Sequence, residues 1–339
     1  MPWRDDAVQQ AVSTHATDTS AAGGLLSVLV PVYNEREVLP EFHRRLADVL
    51  AMLDLDAEML YVDDGSSDGT LDVLQQLRHS DARVGVLRLS RNFGKEIAMA
   101  AGLDHVRGDA VILIDADLQD PPELIPQMLA AWKQGYDQVE MRRLSRAGES
   151  AAKRWTAYAF YRLMSRVSSV SITPDVGDFR LLSRRAIDAM RQLRERSRFM
   201  KGLYAWVGYS RIQIGYQRAS RHAGATKWNY WRLWNFAIEG FTSFSVTPLK
   251  IASYVGLLVA LIAFVYGVVV VLKTLAFGDS VSGYPSLMAV LLFLGGMQLM
   301  CLGIVGEYIG RMFVETKQRP LYLVSEFHPG STIGVGVPS

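Results

Sequence analysis

Two aspartates one residue apart, Asp115 and Asp117, follow the very apolar run AVILI at 110–114. Carboxylates spaced this way on a turn can converge on a hard dication such as Mg2+ or Mn2+, which also takes diphosphate oxygens as ligands. Such a metal would sit at a leaving diphosphate, with Gln119, Asp120 and Glu123 close by in the chain. The pattern alone is weak, because most acidic turns after strands are merely solvated; its place after the fourth apolar run gives it weight. Asp63 and Asp64 end another such run, EMLYV, where a carboxylate can accept hydrogen bonds from a base or a ribose. Gly65, Ser66 and Gly69 let the backbone turn tightly there. Ser67 or Asp68 also suits the N-cap of a following helix, and the two roles are compatible. Pro31 to Glu35 (PVYNE) would lie alongside, with Tyr33 offering a ring face to a nucleobase or to plain packing.

The elements that must position these residues are legible as alternation. Short β-rich runs (LSVLV, EMLYV, VGVLRL, AVILI) are each followed by an amphipathic stretch, at 38–53, 71–77, 97–106 and 124–132. Strands alternating with helices of this length predict an α/β fold with a mostly parallel, doubly wound sheet. In such sheets ligands bind beyond the carboxyl ends of the strands. The polar clusters YNE, DDGSSDGT, RNFGKE and DADLQDPPE fall at those ends. The first strand is followed by PVYNE and not by GxGxxG, which disfavours dinucleotide binding, and no P-loop is present.

A chain of 339 residues holds one sizeable α/β domain and an appendage. Its 36 basic and 34 acidic side chains nearly balance, so no nucleic-acid partner is expected. The single cysteine, Cys301, lies in an apolar run and reads as a buried inert thiol. Residues 1–24 are rich in Ser, Thr, Ala and Asp without a secretory core, and read as a disordered tail. Near the other end, residues 251–272 run for 22 positions without a charge, and residues 287–305 for 19. At 1.5 Å per residue the first gives a helix of about 33 Å, enough to span a bilayer core. The connecting segment 274–286 has no Lys or Arg, while Arg232 and Lys250 precede the pair and Arg311, Lys317 and Arg319 follow it. A hairpin with both ends cytoplasmic is expected, the alternative being two buried helices of a soluble protein. Thr247-Pro248 fits an N-cap and first helical position, so the first span should begin there. The aromatic stretch 228–244 suits either an interfacial helix or a buried amphipathic one. The expected organisation is a tail at 1–24, a catalytic domain at 25–228, a juxtamembrane segment at 229–248, spans at 249–273 and 286–306, and a cytoplasmic segment at 307–339.

Taken together and in order, PVYNE, DDGSSDGT, RNFGKE, DADLQDPPE, VGDFRLLSR, RFMKG and AGATKWNYW resemble family 2 glycosyltransferases of the GT-A fold, in the polyprenyl-phosphate branch. The two spans ending in GEYIGRMFVETKQRP are similar to the bacterial bactoprenol glucosyltransferases of O-antigen modification. The resemblance runs from about residue 26 to residue 322 and leaves both chain ends unexplained.

The resemblance implies a multi-pass enzyme of the bacterial inner membrane, its catalytic domain and both termini cytoplasmic. It would move a sugar, glucose in the nearest relatives, from a UDP-sugar to undecaprenyl phosphate with inversion, aided by Mg2+ or Mn2+. It further implies that Pro31, Tyr33, Glu35, Asp63, Asp64 and Asp115 hold the nucleotide, and that Asp115, Asp117 and Gln119 hold the metal. Arg142 and Arg154 match arginines that meet phosphates, Asp178 matches the acidic residue proposed as catalytic base, and Arg198 and Lys201 match a basic loop over the site. A phosphate monoester with a second pKa of ~6 is already largely dianionic at neutral pH, so Asp178 can equally serve by positioning. Aligning two anions and stabilising the diphosphate are the larger tasks, and guanidinium groups suit them by offering paired donors. Gly306 and Gly310, spaced as GxxxG, fit helix or subunit packing. The resemblance implies a homo-oligomer, a tetramer being the size it suggests. One position departs: Ala225 stands where relatives carry an acidic residue in AG(E/D)(T/S)K, which leaves the donor sugar open to mannose or an amino-arabinose. A processive synthase would show more spans and QxxRW, which is absent, and a non-catalytic membrane scaffold of the same fold is the rival from another class.

Overall fold

The computed structural model describes residues 24–144, 176–196, 198–217, 247–277 and 283–331. Four strands, β1 (Leu25–Val32), β2 (Asp56–Asp63), β3 (Val84–Leu89) and β4 (Ala110–Leu113), pair in parallel around β1. Helices α1 (Leu39–Ala51), α2 (Thr70–Ser80) and α3 (Lys95–His105) make the crossovers, and a 3-10 turn at Pro122–Leu124 leads into α4 (Ile125–Lys133). All four predicted strand–helix units are therefore present in order. The parallel strands are apolar on both faces because both are covered. Val28, Val30 and Val32 of β1 meet Phe42 and Leu46 of α1 and Met128 of α4 on one side. Leu29 points the other way, to Ala98 and Met99 of α3.

The second half of the sheet is mixed. β5 (Gln138–Arg143) and β6 (Val176–Ser183) are antiparallel to each other, β6 is antiparallel to β4, and β7 (Arg211–Tyr216) runs parallel to β5. Helices α5 (Arg184–Gln192) and α6 (Met200–Val207) lie between β6 and β7 in the chain. Helices α7 (Thr247–Phe277) and α8 (Tyr284–Thr316) follow, and β8 (Val324–His328) ends the described fold. The sheet order is β7-β5-β6-β4-β1-β2-β3-β8.

At the C-terminal end α8 continues to Thr316, and the segment expected at 307–339 also contributes β8, which pairs antiparallel with β3 in the sheet. Pairing there covers an otherwise open sheet edge, a role that a five-residue polar strand does not advertise in sequence. The helices are also longer than the uncharged runs, and Thr247 and Pro248 are the first described residues of α7. Windows at Ala252–Val269 and Phe293–Thr316 have mean hydropathies of 2.3 and 1.3 and none of either is buried in the chain. Leu257, Phe264 and Leu299 are 69%, 69% and 70% exposed. Helices that expose large apolar side chains this way are not core helices of this chain, and such a surface suits a membrane. The tail at 1–23, Arg154, Ala225 and the aromatic stretch 228–244 lie outside the described residues.

Candidate active site

A cavity of about 330 Å3 opens at the carboxyl ends of β1, β2 and β4. Pro31, Tyr33, Glu35, Asp64, Asp115 and Asp117 line it, and so do Asn92, Gly94 and Lys95 of the RNFGKE turn. Its floor is built locally. After β1 the chain reverses at Asn34, which takes a left-handed φ of 56°. The Asn34 N–H donates to Ser66 Oγ at 2.9 Å, Ser67 N–H donates to Asn34 Oδ1 at 2.9 Å, and Glu35 N–H donates to Thr70 Oγ1 at 3.0 Å. PVYNE and DDGSSDGT are thus one hydrogen-bonded unit. Gly65 has φ +72° and passes so close to the 91–92 peptide that an added Cβ would sit 2.6 Å from the Arg91 carbonyl carbon. The α2 cap falls at Gly69, one or two residues beyond the expected Ser67 or Asp68, while Asp68 Oδ1 still accepts the Thr70 N–H at 3.0 Å.

Asp64 accepts Phe93 N–H at 2.7 Å and Gly94 N–H at 2.8 Å, one on each carboxylate oxygen, and so ties β2 to the start of α3. Burial pushes its pKa up, and those two N–H donors oppose the shift. Asp63 is fully buried, accepts Ser66 N–H at 3.0 Å, and shapes the turn from behind the cavity wall.

The register Leu113 opposite Arg180, carried on antiparallel, brings Asp178 of β6 to the level of Asp115. Lys95, the first residue of α3, joins them: its Nζ lies 2.7 Å from Asp115 and 2.6 Å from Asp178. Burial opposes ionisation of Asp178, but the ammonium groups of Lys95 and Lys201 outweigh it and hold Asp178 at about 2. Burial pushes the Lys201 ammonium down, with Asp178 pulling it back. Beside Lys95, Glu96 accepts the Met200 N–H at 2.8 Å, and burial reinforced by the Asp178 charge raises its carboxyl to about 7. Beneath Asp178, the buried Arg180 guanidinium stacks 3.7 Å over the Tyr204 ring. The assembly is a positively buttressed carboxylate facing an acidic turn across one shared lysine.

Residues 27–191 match the family model described as Glycosyl transferase family 2, and residues 247–312 match the GtrB C-terminal hairpin. The chain is 50% identical over 301 residues to an uncharacterized glycosyltransferase of Synechocystis sp., covering 89% of this chain and 95% of that one. It is 46% identical over 306 residues to the SfII prophage-derived bactoprenol glucosyl transferase of Shigella flexneri, covering 90% and 99%. The chain belongs to glycosyl transferase family 2. Among solved structures it is similar to glucosyl-3-phosphoglycerate synthase from Mycobacterium tuberculosis in complex with Mn2+, uridine-diphosphate-glucose and phosphoglyceric acid. That likeness has 18% identity and TM-score 0.45, and covers 72% of this chain and 84% of that one. The mixed, mostly parallel sheet of this transferase is GT-A-like, and the hairpin match coincides with α7 and α8, which associate it with a membrane.

Other expected site residues of the transferase fall less simply. Arg142 is exposed, whereas its neighbour Arg143 turns inward, where the Tyr216 hydroxyl and the Asp115 and Asp120 charges meet it. Tyr216 in turn donates to Asp120 Oδ1. Arg198 is buried and donates to the Leu193 carbonyl at 2.7 Å, so it braces its own loop. Gln119 is buried, with its N–H on Asp117 Oδ1 at 3.1 Å, and does not reach the cavity wall. Lys95, Glu96 and Arg143 were not singled out in the sequence. RNFGKE stood out only as a polar cluster, and nothing in its spacing says that its lysine bridges two carboxylates from other strands.

For a divalent metal, Asp115 and Asp117 bring two hard oxygen donors to the cavity, and among the described residues no cluster of three or more His, Cys, Asp or Glu forms. Two carboxylates fit Mg2+ or Mn2+ when the remaining ligands are diphosphate oxygens and water. Lys95 already touches Asp115, so a metal would share that carboxylate with an ammonium.

Proposed function

We propose that this transferase moves glucose from UDP-glucose to undecaprenyl phosphate with inversion, at the cytoplasmic face of a bacterial inner membrane. The observation that carries the reading is the cavity lined by Asp115, Asp117 and Lys95, whose ammonium also holds Asp178, in a chain that covers 99% of a bactoprenol glucosyl transferase at 46% identity. The acceptor phosphate oxygen attacks the anomeric carbon, the bond from that carbon to the β-phosphate oxygen breaks, and UDP leaves with the electron pair. A dication on Asp115 and Asp117 would neutralise charge on that departing diphosphate.

The chain's own residues do the rest. Tyr33 and Glu35 line the nucleotide end of the cavity, and Asp64 holds the 93–94 backbone that borders it. Asp178, kept ionised by Lys95 and Lys201, is a feeble proton acceptor at neutral pH. Its role in this reading is to seat the two ammonium groups where the acceptor phosphate arrives, since that dianion needs cations more than it needs a base. Arg143 takes the phosphate-facing role expected of Arg142, and Arg154 remains a candidate for the same work. The bound metal is Mg2+ or Mn2+, and the working unit is a homo-oligomer.

The test is transfer of label from radiolabelled UDP-glucose to undecaprenyl phosphate by purified protein in detergent, with and without Mg2+, beside Asp117→Ala. Metal-dependent label in the lipid phase that the variant loses is the expected result. Label only from another nucleotide sugar would keep the reaction class and remove glucose, whereas silence with every donor would favour the scaffold reading.

A further inference from the structure

Arg196 lies four residues before Met200, and it is bound to the end of the second membrane helix. Its N–H donates to Glu315 Oε1 at 2.7 Å, and its Nη1 donates to the Glu315 carbonyl at 2.9 Å and to Oε2 at 3.4 Å. Its Nη2 donates to the Arg319 carbonyl. Exposed ion pairs contribute little, but this one is more than a pair of charges. The last carbonyls of a helix lack intrahelical donors and carry the negative end of its dipole, and the Arg196 guanidinium meets that end. Glu315 is the penultimate residue of α8, ten residues beyond the uncharged run that ends at 305, so the contact ties the 194–201 region to the end of α8 that emerges from that apolar run.

Between Arg196 and the cavity the described residues are packed into the fold. Arg198, Phe199 and Met200 are 6%, 3% and 0% exposed, and Arg198 braces the Leu193 carbonyl. Glu96 then fixes the Met200 N–H, and Lys201 follows at Asp178. A second tie runs in parallel: Asp104 of α3 accepts from Arg194 at 2.7 Å and from the Tyr322 hydroxyl at 2.8 Å. Residues 194–196 and 198–201 thus form a strap held by α8 at one end and by the cavity at the other.

We propose that the Arg196–Glu315 contact is a clasp that sets the depth of the strap against the bilayer, so that Lys201 meets the phosphate of a lipid-borne acceptor in register. Arg196 and Glu315 are positioning residues, and the inference rests on the reading of a polyprenyl phosphate acceptor given above. Its signature is acceptor selectivity. A long lipid phosphate is held at one depth by its chain, whereas geranyl phosphate reaches the cavity from water at any depth.

The experiment measures KM for undecaprenyl phosphate in nanodiscs, KM for geranyl phosphate in detergent, and UDP binding, with the full-length protein. Arg196→Ala and Glu315→Ala each raise KM for the long lipid about tenfold, the double variant is no worse than either single, and KM for geranyl phosphate and UDP binding stay within about twofold. Equal losses with both acceptors, additive losses, or no loss would overturn the clasp. If Glu315→Ala no longer binds UDP, Arg196→Gln decides: it removes the guanidinium bonds to the Glu315 and Arg319 carbonyls and leaves the backbone N–H bond, and an unchanged KM for the long lipid would overturn the proposal. Wild-type protein that transfers to neither acceptor removes the proposed function and the clasp with it, while wild-type activity matched by all variants removes the clasp alone.

Discussion

Lys95 touches two carboxylates that belong to different strands, and its ammonium is the charge that lets Asp115 and Asp178 approach. Without it, like charges face each other across the cavity and the acceptor phosphate meets net repulsion. Lys95→Ala should lower kcat/KM for transfer by about 100-fold, with Lys95→Arg intermediate, the scale of losing one oriented charge in an enclosed site. Activity within about threefold of wild type would make Lys95 a surface ion pair of the ordinary kind. Its neighbour Glu96 carries a pH dependence of stability. Its carboxyl rises from 4.5 to about 7 on folding, so the folded state holds the proton more tightly than the unfolded chain. That stabilisation is complete below pH 4.5, fades as pH rises and is lost above about 7. Glu96→Gln keeps an acceptor for the Met200 N–H and removes the titration, so it should be more stable than wild type at pH 8 by at most about 3 kcal/mol and no more stable at pH 4. Thermal melting in detergent across that range reads the difference, and parallel curves for the two proteins would refute it.

At the scale of elements, the cavity floor depends on two loops that zip together and on the one glycine that lets a third approach. Gly65 combines φ +72° with a backbone neighbour where a Cβ would stand. Gly65→Ala should cost about 1–3 kcal/mol and push the 91–94 turn away from Asp64. UDP affinity should fall along with Tm; a Tm loss with unchanged UDP binding would mean that the 91–94 turn is not part of the nucleotide site. The expected strands, the helices and the clusters that follow them were legible because each is local: hydrophobic period, turn residues and the place of polar clusters all lie within a few positions. β8 was not legible, since Val324–His328 gains its role only from the open edge of β3.

At the scale of the whole molecule, one catalytic sheet is connected to a hairpin that leaves and returns to it. α7 departs after the described part of the sheet, and the chain beyond α8 comes back as β8, with Ser90 N–H donating to the Leu323 carbonyl at 2.9 Å just before that strand begins. The hairpin match and the two exposed apolar helices associate this end of the chain with a membrane. Leu261 lies in the apolar window of α7 and is 58% exposed, so Leu261→Arg should cost about 2.5–3.5 kcal/mol of insertion free energy. Less protein should be recovered in the membrane fraction, and unchanged recovery would argue that this face of α7 meets protein or water.

The parallel half of the sheet, the carboxylates at its carboxyl ends, and the two long apolar helices follow from the sequence by itself. In a parallel α/β unit each loop after a strand is delivered to the same edge, so chain order alone gathers Tyr33, Asp64 and Asp115. The identity of their partners was decided only by tertiary structure. Asp178 reaches Asp115 through an antiparallel register, and a shift of one residue in such a strand sends a side chain to the opposite face, which is why Arg143 and not Arg142 turns inward. Lys95, Glu96 and the Arg196–Glu315 clasp depend likewise on elements separated by tens to more than a hundred residues meeting at hydrogen-bond distance. No local pattern encodes such contacts, because their energy exists only once the strands and helices that carry them have packed.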